Sequence, residues 1–187
     1  MIESLLRRTQ PEVAVALCVG TSGALIAGAH LFERVGNLPP CLLCLDQREV
    51  HWAAIITGLV ALGAGLAIKR QARLFAAVLG GMTLIYLFSA GLAGYHAGVE
   101  SGFWPGPAGC AVSGDMSLAA GTDILNSLSE PTPGPSCTEA LWRLFGISMA
   151  GYNVLISLAM AGLAGIFCLR AAGDLKQNRV NAAAFAE

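Results

Sequence analysis

Hydrophobic positions along the chain gather into four long runs without a formal charge, Val13–Phe32, Val50–Ile68, Leu74–Val99 and Gly146–Leu169. Each is close to or above the roughly 20 apolar residues that about 30 Å of hydrocarbon requires. Within lipid such a run must be helical, because a helix satisfies its own backbone groups. The pattern predicts an all-α membrane protein, a single four-transmembrane-helix bundle over residues 1–187 with spans at about 13–32, 45–68, 74–97 and 146–169. Two connections remain on one side, at about 33–44 and 98–145. Seven of the eight prolines fall in them (Pro39, Pro40, Pro105, Pro107, Pro131, Pro133 and Pro135), which leaves the spans free of helix breakers. Gly20, Gly23, Gly58, Gly63, Gly80, Gly91, Gly162 and Gly165 lie inside the runs, where small residues let membrane helices approach closely.

The longer connection has its own grain. Gly102–Gly109 is turn-rich, Met116–Leu128 has the spaced apolar positions of a short interfacial helix despite Gly121, and Pro131–Pro135 is a stiff, extended approach to Cys137.

Composition strengthens the membrane reading. The chain is 55% hydrophobic and 12% charged, against about one quarter charged in soluble domains. The net charge of −1 says nothing about nucleic acid, but the sequence has no basic patch with interleaved aromatics, so no nucleic acid is expected as a partner and membrane lipid is. Lysine and arginine then set the orientation. Arg7, Arg8, Lys69, Arg70, Arg73, Arg170, Lys176 and Arg179 lie on one side, against Arg34, Arg48 and Arg143 on the other. The richer side is cytoplasmic, so both termini are inside and both connections face outward. Trp52, Trp104 and Trp142 fall near the outer ends of spans, where an interfacial aromatic belt sits. Arg7-Arg8, the first run and Ala27-Gly28-Ala29 also imitate a cleavable signal peptide, but the run continues through Leu31 and Phe32 and is long enough to span.

Six cysteines bring chemistry into the picture. Cys41, Cys44, Cys110 and Cys137 face the outer, oxidising side, where disulfides persist. Cys18 and Cys168 lie within spans and read as small apolar fillers. Cys41-Leu42-Leu43-Cys44 has the spacing at which a redox disulfide closes over one helical turn, just after Pro39-Pro40 and at the expected start of the second helix. Free amides and the helix dipole there favour a thiolate, the species that attacks and leaves in disulfide exchange. Arg48 follows Cys44 by one helical turn and can stabilise a Cys44 thiolate or a negatively charged acceptor. A structural disulfide and a zinc half-site are the other readings of the motif. Zinc needs four ligands, and the loop offers no second such pair, so no metal is expected. Cys110 and Cys137, 27 residues apart, read either as a loop-closing staple or as an exchange partner for the first pair. Arg48 and His51 lie in or at the rim of the outer leaflet, where ionisable groups are functional candidates; the other reading of Arg48 is snorkelling to the interface, and that of His51 is the filling of a polar gap. His96, at the outer end of the third span, reads either as a hydrogen-bond donor to a quinone carbonyl or as an ordinary interfacial histidine; His30 reads as interfacial.

Together these residues resemble the DsbB family of disulfide bond formation proteins. The resemblance rests on Cys41-x-x-Cys44-x-x-Gln47-Arg48 opening the second span, on Cys110 and Cys137 in the second outer connection, and on Trp142–Met149 (WRLFGISM) leading into the fourth span. It implies a multi-pass protein of the bacterial inner membrane with its redox cysteines on the periplasmic side. It implies a DsbA-like thioredoxin-fold partner and a quinone acceptor, ubiquinone or menaquinone. In that scheme Cys110 accepts the partner's attack, Cys137 relays to Cys41, and Cys44 faces the quinone with Arg48 beside it and His96 in the quinone site. A quinone-linked oxidase of the vitamin K epoxide reductase type is a rival, but its C-x-x-C lies late in the bundle, whereas here it precedes the second span. A structural four-span scaffold with stapled loops is the rival of another class; the C-x-x-C at a helix start and Arg48 speak against it.

Overall fold

The computed structural model describes residues 11–66, 71–107, 110 and 136–184, without the side chains of 71, 179, 180 and 182. The expected interfacial helix Met116–Leu128, the approach Pro131–Pro135, and Arg7, Arg8, Lys69 and Arg70 of the charge tally lie outside these residues.

Four helices carry the described fold: α1 (Pro11–Arg34), α2 (Leu42–Gly65), α3 (Gln71–Glu100) and α4 (Met149–Ala184). The helices α1, α3 and α4 are long and apolar enough to cross a membrane, which makes the chain a multi-pass membrane protein. The remaining helix, α2, opens on Asp46, Arg48 and Glu49, and its description ends just after Gly65. It is therefore less apolar over its described length than the uncharged run from Val50 implies. Residues Leu17, Ile56, Val60, Leu84, Phe88 and Leu155 point outward, as lipid-facing positions do.

Helices α3 and α4 pack along the greatest length, α1 lies against α2, and α2 against α3. Ala14, Val15, Cys18, Ala54, Leu79, Met82, Tyr86 and Ala164 form the main buried cluster. Gly58 is where small size matters most: a Cβ there would meet Val19 of α1 and come within 2.7 Å of Met82 Cε of α3. Gly20, Gly23, Gly63, Gly91 and Gly162 have open space where a Cβ would go, so the expectation that they bring helices together does not hold for them.

The fourth helix begins later than its apolar run. Arg143–Leu144 and Ile147–Ser148 pair as antiparallel strands β1 and β2. Phe145 (φ 49°) and Gly146 (φ 80°) form the turn between them, with the two positive φ angles that a two-residue type I′ hairpin requires. The expected start at residue 146 therefore moves to Met149, because this turn cannot be helical. Trp142 sits beside the hairpin against Phe32 and Tyr152, with ring centroids 5.1 and 6.1 Å away. At the end of α3, Trp104 stacks on Tyr95 and donates its indole N–H to the Tyr95 carbonyl at 2.9 Å.

Candidate active site

Cys41 is the N-cap of α2. Its extended backbone (φ −79°, ψ 172°) follows Pro39-Pro40, and its sulfur accepts the backbone N–H of Cys44 at 3.3 Å. The C-x-x-C thus occupies the helix start that its sequence position implies. The two sulfurs, as free thiols, lie 2.7 Å apart, one turn apart at the start of the helix.

The two thiols are shifted in opposite directions. The Cys44 thiol lies below the ordinary range because the Cys41 S–H donates to its sulfur, with the helix-start geometry and Arg48 adding to this against burial and the Glu100 charge. The Cys41 thiol is pushed up, first by the hydrogen bond it gives to Cys44 and then by burial. The first proton therefore leaves Cys44, and Cys41 keeps the second.

Cys110 and Cys137 form a disulfide with Cα atoms 5.1 Å apart. Both are buried in one cluster with Cys41, Leu43 and Val99, against which Cys44 and Leu92 pack. The loop pair and the helix pair, distant in sequence, thus share one small core at the start of α2 and the end of α3.

Arg48 is mostly buried and its Nη1 donates to Glu33 Oε2 at 2.5 Å, with Nη2 3.4 Å from the Ala29 carbonyl. Glu33, at the end of α1, was not singled out from the sequence. Nothing in its local pattern marks it, because its partner lies on another helix.

His96 is buried, with Nε2 3.6 Å from Cys41 Sγ and 3.7 Å from Glu100 Oε1, and Nδ1 2.8 Å from Gln47 Nε2. His51 is equally buried and bonds Asn153 and Ser22, so it fills a polar gap in the bundle. Asn153 was also missed, although a lone amide within an uncharged run is a signal available in the sequence. His30 sits beside Glu33 at 3.6 Å, away from the cysteines. Cys18 is buried in the main core and Cys168 donates to the Ala76 carbonyl, both inside the helices.

A cavity of about 390 Å³ opens beside these groups. Ile26, Phe32, Leu38, Trp142, Leu144 and Ile156 give it an apolar wall, and Cys44, Arg48, Gln47, His51 and His96 reach it. Its size and its few convergent polar groups are those of a small-molecule site. A planar, mostly apolar ring with two carbonyl oxygens fits that lining. Ligand atoms of Cys41, Cys44 and His96 also come within 4.8 Å of one another, the spacing of a potential metal site.

A multi-pass helical bundle with a C-x-x-C at a helix start, packed on a second cysteine pair, defines a membrane thiol–disulfide oxidoreductase. The chain belongs to the DsbB family: the family model described as "Disulfide bond formation protein DsbB" matches residues 11–167. The chain is 26% identical over 158 residues to Disulfide bond formation protein B of Nitrosomonas europaea, covering 80% of this chain and 86% of that one. It is 25% identical over 166 residues to the uncharacterized protein RP370 of Rickettsia prowazekii, covering 89% and 92%. No solved structure gives a significant match. Membership makes the chain a disulfide-generating membrane oxidoreductase.

Proposed function

We propose that the chain reoxidises a periplasmic DsbA-like dithiol protein and passes the electrons through Cys110–Cys137 and Cys41–Cys44 to a membrane quinone, ubiquinone or menaquinone. The observation that carries this reading is the shared burial of Cys41, Cys110 and Cys137 in one cluster. The protein would lie in the bacterial inner membrane with all four of these cysteines on the periplasmic side.

The partner's thiolate attacks the Cys110–Cys137 disulfide at Cys110, forming a mixed disulfide and releasing Cys137. The partner's second thiol resolves it, leaving an oxidised partner and a reduced loop pair. Both loop cysteines are buried, so Cys110 has to become exposed before the visitor's thiolate can reach it. Cys137 then attacks the Cys41–Cys44 disulfide at Cys41, and Cys110 closes back onto Cys137. The helix pair is left as a dithiol carrying the two electrons and two protons.

A quinone in the cavity supplies the sink for two electrons and two protons. The residues that would hold it are Cys44, Arg48 and His96, with the apolar wall around them. Cys44 presents the thiolate, and Arg48 places positive charge next to it in a dry setting, where such charge acts most strongly.

Purified protein given a reduced DsbA-like partner and a soluble ubiquinone or menaquinone analogue should consume quinone in step with the partner's thiols. Thiol oxidation that proceeds equally without any quinone would remove the acceptor from this reading.

A further inference from the structure

The bundle interior holds a line of hydrogen bonds from Ser22 to His96 in which each link from His51 onward has a defined donor. Ser22 Oγ is 3.2 Å from His51 Nδ1, and His51 Nε2 donates to Asn153 Oδ1 at 2.9 Å. Asn153 Nδ2 donates to Gln47 Oε1 at 2.7 Å, and Gln47 Nε2 donates to His96 Nδ1 at 2.8 Å. All five side chains are buried.

The direction follows from the donors available. An amide nitrogen only donates, so His96 Nδ1 must accept, and a neutral imidazole then carries its proton on Nε2. Gln47 has reason not to turn over, because Nε2 also donates to the Leu43 carbonyl at 3.1 Å while Oε1 takes the Asn153 bond. Asn153 is fixed in the same way: Oδ1 accepts from Ser157 Oγ at 3.1 Å as well as from His51. Turning Gln47 would set its oxygen against the Leu43 carbonyl, and turning Asn153 would set its oxygen against Gln47 Oε1, in a buried place where an unmade bond is costly.

We infer that Gln47 and Asn153 are positioning residues that hold the His96 proton on Nε2, so that His96 meets Cys41 as a hydrogen-bond donor with the Glu100 carboxylate close by. The N–H faces the sulfur at 3.6 Å and the carboxylate at 3.7 Å. Toward the sulfur or an acceptor oxygen in the cavity it stabilises negative charge and takes up no proton. Two amides stand in the line, and neither passes a proton on, so the line orients His96 and does not conduct. The same tautomer argues against a metal at Cys41, Cys44 and His96, because the nitrogen facing the sulfurs is the protonated one and a metal needs it bare.

The purpose of this arrangement rests on the proposed thiol-to-quinone reading; its existence does not. The test is nitrogen-15 spectroscopy of histidine-labelled full-length protein in detergent, reduced and without quinone or partner, with His96→Gln identifying the signal. Wild type should show His96 protonated on Nε2. Gln47→Met should give a mixture of tautomers, and Gln47→Glu should move the proton to Nδ1. Asn153→Leu, which unlocks Gln47 from behind, should also give a mixture and serves if the Gln47 variants do not fold. Wild-type His96 protonated on Nδ1, or a wild-type signal retained in the folded Gln47→Met or Asn153→Leu protein, would overturn the inference. A correct tautomer in a protein that never reduces quinone would instead remove the proposed function and leave the inference standing.

Discussion

The Arg48 guanidinium is not a lone cation beside the cysteines: its Nη1 lies 2.5 Å from Glu33 Oε2 at the end of α1. One carboxylate therefore offsets part of the charge that Arg48 presents to Cys44, and it also fixes where that charge sits. Arg48 lines the apolar cavity from this tethered position.

Replacing Arg48 by Ala should lower quinone reduction while the bundle stays folded. Removing one preorganised charge from a dry site typically costs about 10²–10³ in rate. Arg48→Lys should recover only part of it, since an ammonium is not a planar fork. The double variant Arg48→Ala, Glu33→Gln should be no faster than Arg48→Ala alone in steady-state assays at limiting quinone. Recovery in the double variant would mean that the stranded Glu33 carboxylate, and not the lost charge at Cys44, causes the defect.

Reduced protein should show unequal thiols. The Cys44 thiol lies below the ordinary range and Cys41 above it. As pH falls through the ordinary thiol range, alkylation of Cys44 should stay fast because its thiolate persists, while Cys41 stays slow. Cys41→Ala removes the hydrogen bond that contributes most to the Cys44 shift, so the Cys44 pH profile should move to higher pH. Mass-spectrometric alkylation rates across pH read both effects, and identical profiles for the two thiols would contradict the assignment.

Gly58→Val should destabilise the bundle by about 1–3 kcal/mol, the usual cost of overpacking, because its side chain would press on Val19 and Met82. Gly63→Ala, with open space at its Cβ position, should not. Thermal unfolding in detergent separates the two.

Topology has its own test. After reduction, membrane-impermeant thiol reagents should label Cys41, Cys44, Cys110 and Cys137 from the periplasmic face of spheroplasts. Labelling only from the cytoplasmic side would reverse the orientation and remove the partner with it.

Much of this was legible along the chain where the signal is local. Uncharged runs placed the helices, and Pro39-Pro40 before Cys41 placed the C-x-x-C at a helix start, because proline and helix capping act over a few residues. What local pattern could not give was contact between distant segments. Glu33 meets Arg48 and Asn153 meets Gln47 only because separate helices pack there. The hairpin at Phe145–Gly146 was hidden by its own hydrophobicity: its residues extend the apolar run, while its positive φ angles end the helix. The meeting of Cys41 with the Cys110–Cys137 pair likewise depends on α3 bringing Val99 over the start of α2.

The division of labour between the two cysteine pairs is the centre of the account, and trapping with single cysteine variants tests it most directly. Each variant is mixed with the reduced DsbA-like partner and resolved on non-reducing gels, with quinone consumption followed alongside. Cys137→Ser should accumulate a covalent complex between Cys110 and the partner, because a mixed disulfide persists when its neighbouring thiol is missing. Cys44→Ser should stop quinone consumption while Cys110 still reacts with the partner, and Cys18→Ser and Cys168→Ser should turn over nearly as wild type does. A Cys110→Ser protein that oxidises the partner as fast as wild type would contradict the relay, leaving the loop pair a staple and the partner reacting directly at Cys41–Cys44.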